Sequence, residues 1–80
     1  MIYHVYVLRS LKNGKFYAGF TRKPVRARLK EHNEGKNVWA RNNGPFNLVF
    51  FEKDRSRKEA LLREKYFKTG AGRKFIQQLV

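Results

Sequence analysis

The sequence predicts a small α+β domain: a three-stranded, mainly antiparallel sheet flanked by helices, in the order β-β-α-β-α with a short last helix. Three observations carry this expectation. An Asn-Gly pair, Asn13-Gly14, separates two β-branched and aromatic runs, Ile2–Leu8 and Phe16–Phe20. Asn-Gly suits a two-residue hairpin because a type I′ turn needs positive φ at both central positions. A third apolar run, Leu48–Phe51 (LVFF), has the length of a strand, and two stretches opened by Pro24 and Ser56 have the apolar spacing of helices.

With a two-residue turn, Lys12 pairs with Lys15, Ser10 lies opposite Tyr17, and Leu8 opposite Gly19. Strand side chains alternate, so Tyr6, Leu8, Ser10, Tyr17 and Gly19 then share one face. Two phenols and a glycine on one surface leave room for a phosphate backbone. Thr21 is placed as the N-cap of the first helix, Pro24 in its first turn, and Gly35 past its end near Asn33. On that helix Val25, Leu29, His32 and Arg28 form one stripe roughly 100° wide, a core-facing width. Arg28 and His32 are thus one turn apart beside two aliphatics. Taken singly, each reads equally well as an Arg with a packed stem and a half-buried, satisfied His.

Glu34–Asn47 (EGKNVWARNNGPFN) reads as a loop, broken at Gly44-Pro45. Trp39, beside Lys36 and Arg41, is large enough to stack on a base, worth about 1–3 kcal/mol, or to plug a core edge. LVFF, apolar throughout, is expected to be covered on both faces. Ser56-Arg57-Lys58-Glu59 has capping-box spacing and opens a helix to about Lys68, stopped near Gly70. Glu64 stands within its apolar face, bracketed by Ala60, Leu61 and Phe67. A carboxylate there is costly to desolvate unless a cation meets it, and Lys68, four residues on, can supply one. Of the six acids it is the best placed to act as a ligand. Gly70-Ala71-Gly72 reads as a joint before the last helix, its amides set beside Arg73 and Lys74 where a phosphate could rest.

Eighty residues suggest one domain, 1–80. There is no cysteine, which excludes disulfides, thiolate metal sites and thiol nucleophiles and fits a cytoplasmic protein. The run Ile2–Leu8 is too short to span a membrane. Nineteen Lys and Arg against six acids give a formal net charge of +13, which calls for a polyanionic partner. The basic residues spread over every segment instead of one helix face, so nucleic acid is favoured over a membrane surface. Gly19, Arg22, Lys23, Lys36, Trp39, Arg41, Arg73 and Lys74 are the candidate nucleic-acid contacts.

His4-Val5-Tyr6, then Tyr17-Ala18-Gly19, then Arg28 and His32 within RLKEH, then Glu64, resembles the GIY-YIG nuclease domain. The resemblance runs from Tyr3 through the second long helix. His4 stands where the first signature has glycine, and Ala18 where the second has isoleucine. The resemblance implies hydrolysis of nucleic-acid phosphodiesters with a single divalent ion, Mg²⁺ or Mn²⁺. Carried over, Glu64 would be the sole protein ligand of the metal, and Tyr6 would position or deprotonate the attacking water. Tyr17 would bond that water or the scissile phosphate, Arg28 would neutralise phosphoryl charge, and His32 would support Tyr6 or contact phosphate. Gly19 would let the strand approach without a clash. The expectation is a structure-selective endonuclease of repair or recombination type, acting on DNA ahead of RNA, with a protein partner supplying specificity. The alternatives are a non-catalytic basic DNA/RNA-binding module that keeps the fold, and a basic assembly protein whose tyrosines are only core.

Overall fold

A computed structural model of the chain describes residues 2–54 and 56–79. Among these the elements run β1 (Tyr3–Ser10), β2 (Phe16–Thr21), α1 (Val25–Asn33), α2 (Val38–Asn43), β3 (Phe46–Asp54), α3 (Arg57–Phe67) and α4 (Gly70–Leu79). The strands form one antiparallel sheet in the order β2-β1-β3. The α+β class and element order read from the sequence are therefore observed, with one extra short helix, α2.

The hairpin register differs from the expected one. Tyr6 pairs with Gly19 and Leu8 with Tyr17, a slip of two residues from Leu8 opposite Gly19 and Ser10 opposite Tyr17. The cause lies in the turn. Only Gly14 there has positive φ, at 74°, and no residue other than glycine does among those described, so Asn13 does not supply the second half of a type I′ turn. Instead the buried Ser10 hydroxyl accepts the N–H groups of Lys12 and Asn13, each at 3.1 Å, and donates to the Asn43 carbonyl at 2.5 Å. Ser10 N bonds Lys15 O at 2.9 Å, which closes the ladder early. Because side-chain direction repeats every two residues, this slip leaves each residue on its expected face.

The two faces carry separate cores. Under α1, Tyr6, Leu8, Val25 and Phe46 are buried with Tyr17, Leu29 and Leu48 against them. Under α3 and α4, Val5, Val7, Ala60, Phe67 and Ile76 form the second core, joined by Phe16, Ala18, Val49 and Phe50. β1 feeds both. β3 is longer than Leu48–Phe51, and the expected cover on both faces fails at Phe51, which is 50% exposed on the α1 side.

Helix ends explain the remaining differences. Thr21 does not cap α1: it ends β2, its buried hydroxyl accepting Lys23 N at 3.0 Å, while Pro24 holds the N-cap position without a side-chain bond. Asn33 closes α1 onto β3, exchanging side-chain bonds with the N–H and C=O of Phe46 at 2.7 and 3.2 Å. The expected loop contains α2, whose N-cap Asn37 accepts from Ala40 N at 2.8 Å. Ser56 caps α3 as expected, accepting Glu59 N at 3.2 Å. The helix ends one residue before Lys68, and α4 starts at Gly70 itself. Gly72 serves packing rather than a phosphate cradle. A Cβ on Gly72 would run into the Tyr66 carbonyl and Phe67 Cα, and the N–H groups of Gly72 and Arg73 are taken by Thr69.

Gly72→Ala forces backbone apart at the α3–α4 contact, so it is expected to lower stability by about 1–3 kcal/mol, the usual range for overpacking. Gly70→Ala meets no atom within 4 Å and is expected to raise stability by about 0.4–1 kcal/mol through the unfolded chain. Urea unfolding of the two variants distinguishes them.

Candidate active site

The centre of the α1 face is a phenol laid across a bare backbone. Tyr6 is only 6% exposed. Its hydroxyl stands so close to its cross-strand partner Gly19 that a Cβ there would lie 2.6 Å from it. Gly19 therefore accommodates Tyr6, which lies over it. Released in this way, the Tyr6 hydroxyl reaches His32 on α1, 3.2 Å from Nε2.

His32 is hemmed in by rings, edge-on to Trp39 and to Phe46, each at 5.8 Å between centroids. Burial, with the Arg28 charge one turn back, pushes its pKa below the ordinary 6.5 against the opposing pull of Glu31. The imidazole is therefore neutral at pH 7. Arg28 itself pairs with Glu31 at 3.4 Å, and Glu31 also holds Lys23 at 2.8 Å. The Lys23 hydrogen bond, helped by the charges of Lys23, Arg28 and Lys36, lowers the Glu31 carboxyl's pKa.

Tyr17 sits beside this group, edge-on to Trp39 at 4.9 Å and to Phe46 at 5.7 Å. Its hydroxyl donates to Asn43 Oδ1 at 2.9 Å and accepts from Asn13 Nδ2 at 3.2 Å. Trp39 stacks on Phe46 and stays 42% exposed. Asn43 and Phe46 were not singled out from the sequence, and Asn13 was read there only as a turn residue. Asn43 is 26 residues from Tyr17, and no local spacing signals such a contact.

Glu64 comes from the other side of the sheet. On α3 it lies on the side of Ala60 and Phe67, its side chain 16% exposed, with Lys68 Nζ at 3.1 Å from Oε1. What connects the two sides is an open cleft of about 770 Å³ that turns around the free edge of β2. Tyr17 and Trp39 line one end, Phe16 and Ala18 the strand itself, and Lys68, Arg73 and Gln77 the other end, with Lys15 at the turn. Three cations and three aromatics thus share one hollow, and no acid lines it among the described residues.

The remaining sequence candidates scatter. Lys23 and Lys36 are engaged by Glu31 and Glu34. Arg41 packs its side chain on Gly35. Arg22 lines a separate groove of about 540 Å³ with His4, Phe51 and Lys53, and Lys74 is exposed on α4. Trp39 and Arg73 are the two that join the cleft.

For a divalent ion the donor set is spare. Among the described residues no three His, Asp or Glu side chains gather closely enough to hold a metal. A hard ion that keeps most of its waters needs only one or two carboxylates. Glu64, half-buried and, among the described residues, met by the Lys68 ammonium that borders an open cleft, fits that requirement.

The GIY-YIG catalytic domain model matches residues 2–75. The chain belongs to the GIY-YIG family, a family of endonucleases that generally depend on divalent metal and take nucleic acid as substrate. It is 36% identical over 66 residues to a UPF0213 protein of Bacillus licheniformis, covering 81% of this chain and 67% of that one. A UPF0213 protein of Clostridium perfringens is 38% identical over 66 residues, covering 81% of this chain and 69% of the relative. The solution NMR structure of the UPF0213 protein BH0048 from Bacillus halodurans superposes with a TM-score of 0.58 at 30% identity, covering 99% of this chain and 85% of that one. No helix among the described residues is long and apolar enough to cross a membrane.

The lowered pKa of His32 makes stability depend on pH. Between its folded value and 6.5 the unfolded chain binds more protons, so stability rises with pH in that window. Its contribution is complete above about pH 6.5 and is lost as pH falls through the folded value. Urea unfolding between about pH 7.5 and about pH 5 should show wild type losing stability on acidification and His32→Gln losing less.

Proposed function

We propose that this chain is a divalent-metal-dependent DNA endonuclease that selects by strand structure rather than by sequence. The observation that carries the reading is the cleft around β2, which joins the Tyr17–Trp39 end to Lys68, the direct partner of Glu64. Lys15, Lys68 and Arg73 along it suit phosphates, and phosphate contacts fix position without reading bases. The scissile phosphate would lie over β2, between the phenols and Glu64.

Neutral His32, with its proton on Nδ1, would accept the Tyr6 hydrogen at Nε2. As the Tyr6 proton passes to His32, the phenol oxygen would take one from the attacking water that it orients. Arg28 would neutralise charge developing on the phosphoryl oxygens. Tyr17, whose hydrogen Asn43 holds, would turn it toward a non-bridging oxygen. Trp39 would stack on a neighbouring base. A divalent ion on Glu64, its remaining positions filled by water and phosphate oxygen, would supply Lewis-acid stabilisation of the transition state and the leaving oxygen.

A second reading, a binding module without turnover, is favoured by two contacts: Glu64 is occupied by Lys68 and the Tyr17 hydrogen by Asn43. Purified protein assayed on nicked, flapped and branched DNA separates the two. Cleavage with Mg²⁺ or Mn²⁺ is expected, lowered about 10²–10⁴-fold by Tyr6→Phe and abolished by Glu64→Gln or EDTA, with DNA binding kept within a few-fold. Binding without product at any metal concentration supports the module. Cleavage that survives Glu64→Gln removes the carboxylate from the mechanism.

A further inference from the structure

Lys68 occupies two settings at once. Its ammonium is 3.1 Å from Glu64 Oε1, and its side chain, 57% exposed, lines the β2 cleft with Tyr17, Trp39 and Arg73. We propose that Lys68 is a two-position cation. In the free protein it neutralises Glu64, and when a divalent ion takes that carboxylate Lys68 moves onto a phosphate of the bound nucleic acid. The inference rests on Glu64 being the metal ligand and assigns to Lys68 a part that this ligand does not imply.

Each position answers a physical need. Glu64 is mostly buried on an apolar helix face, and a carboxylate there without a cation is unfavourable. Lys68 meets it in the absence of metal. The grip is weak, since an i,i+4 Glu–Lys pair on a helix shifts an equilibrium only about twofold, so a dication displaces it. Once displaced, the ammonium stands beside a double positive charge and is repelled by it. The cleft it already borders holds Lys15 and Arg73 and no acid, so the anion available to it there is the substrate's phosphate. The backbone does not have to move, because Lys68 is the C-cap of α3 and its N–H is bonded to the Lys65 carbonyl, with the Thr69 N–H bonded to that of Tyr66.

Metal and nucleic acid then assist each other through one side chain, and the coupling is reciprocal. Two titrations on the full chain read it without any turnover. Mn²⁺ binding to the protein free of nucleic acid is followed by calorimetry. Binding of a phosphorothioate oligonucleotide is followed by fluorescence anisotropy, once in EDTA and once with Mn²⁺. Lys68→Met is expected to tighten Mn²⁺ binding by at least about twofold, since the competing ammonium leaves the carboxylate. It should weaken oligonucleotide binding more with Mn²⁺ than in EDTA, cutting the gain that Mn²⁺ brings about fivefold, with Lys68→Arg restoring that gain. Thermal melting checks that each variant is folded. Unchanged Mn²⁺ affinity in Lys68→Met, or an oligonucleotide loss equal with and without Mn²⁺, overturns the inference and makes Lys68 a fixed surface cation. Glu64→Gln separates the two levels. If it still binds Mn²⁺, the metal-ligand reading fails. If it does not, while Lys68→Met binds as wild type does, only the two-position role fails.

Discussion

Tyr6 can lie where it does because residue 19 has no side chain. The two are cross-strand partners, and the phenol covers the space that a Cβ would take. From that single absence follows the reach of the Tyr6 hydroxyl to His32, and with it the seating of α1 on the sheet beside Val25 and Leu29. The ring cluster that Tyr6, His32, Tyr17, Trp39 and Phe46 make is then a packed wall, and its hydroxyls are aimed by hydrogen bonds from α1, α2 and the turn. A polar group on such a wall keeps its direction because packing fixes the rotamer and a bond fixes the tip.

The second constraint is that β2 is an edge. Edge strands expose unpaired backbone and proteins usually blunt them; here the edge is the floor of a cleft. Faces that a sheet ordinarily keeps apart meet around it, Tyr17 and Trp39 from one side and Lys68 and Arg73 from the other. Two buried cores with no residue in common thus border one cleft. Cations line the open hollow, while the Glu64 carboxylate stays under the Lys68 ammonium.

Much of this was legible in the sequence, for reasons that can be named. The three strands and two long helices announce themselves by composition and caps. The shared face of Tyr6, Tyr17 and Gly19 survived an incorrect register, because a slip of two residues preserves parity; a slip of one would have reversed it. Glu64 stood out as a charge on an apolar stripe. What escaped was tertiary. α2 spans six residues, too few for a period to show, and its Asn37 cap looked like loop composition. The Ser10 hydroxyl overruled Asn-Gly at the turn by capturing two N–H groups. Gly19 read as space for a phosphate when its nearest neighbour is Tyr6. The bonds from Asn13 and Asn43 to Tyr17 depend on the fold bringing turn and helix together.

The central claim is that the Glu64 carboxylate and the phenols of the hairpin face one reaction space around β2. Paramagnetic broadening by Mn²⁺ in an amide-resolved NMR spectrum, recorded with an uncleavable oligonucleotide bound, tests it most directly, because the ion reports its distance to both sides of the sheet together. Broadening that reaches Glu64 and Lys68 on α3 and also Tyr17, Ala18 and Gly19 on β2 is the expected result. Broadening confined to α3, or centred on another part of the surface with β2 untouched, would contradict it.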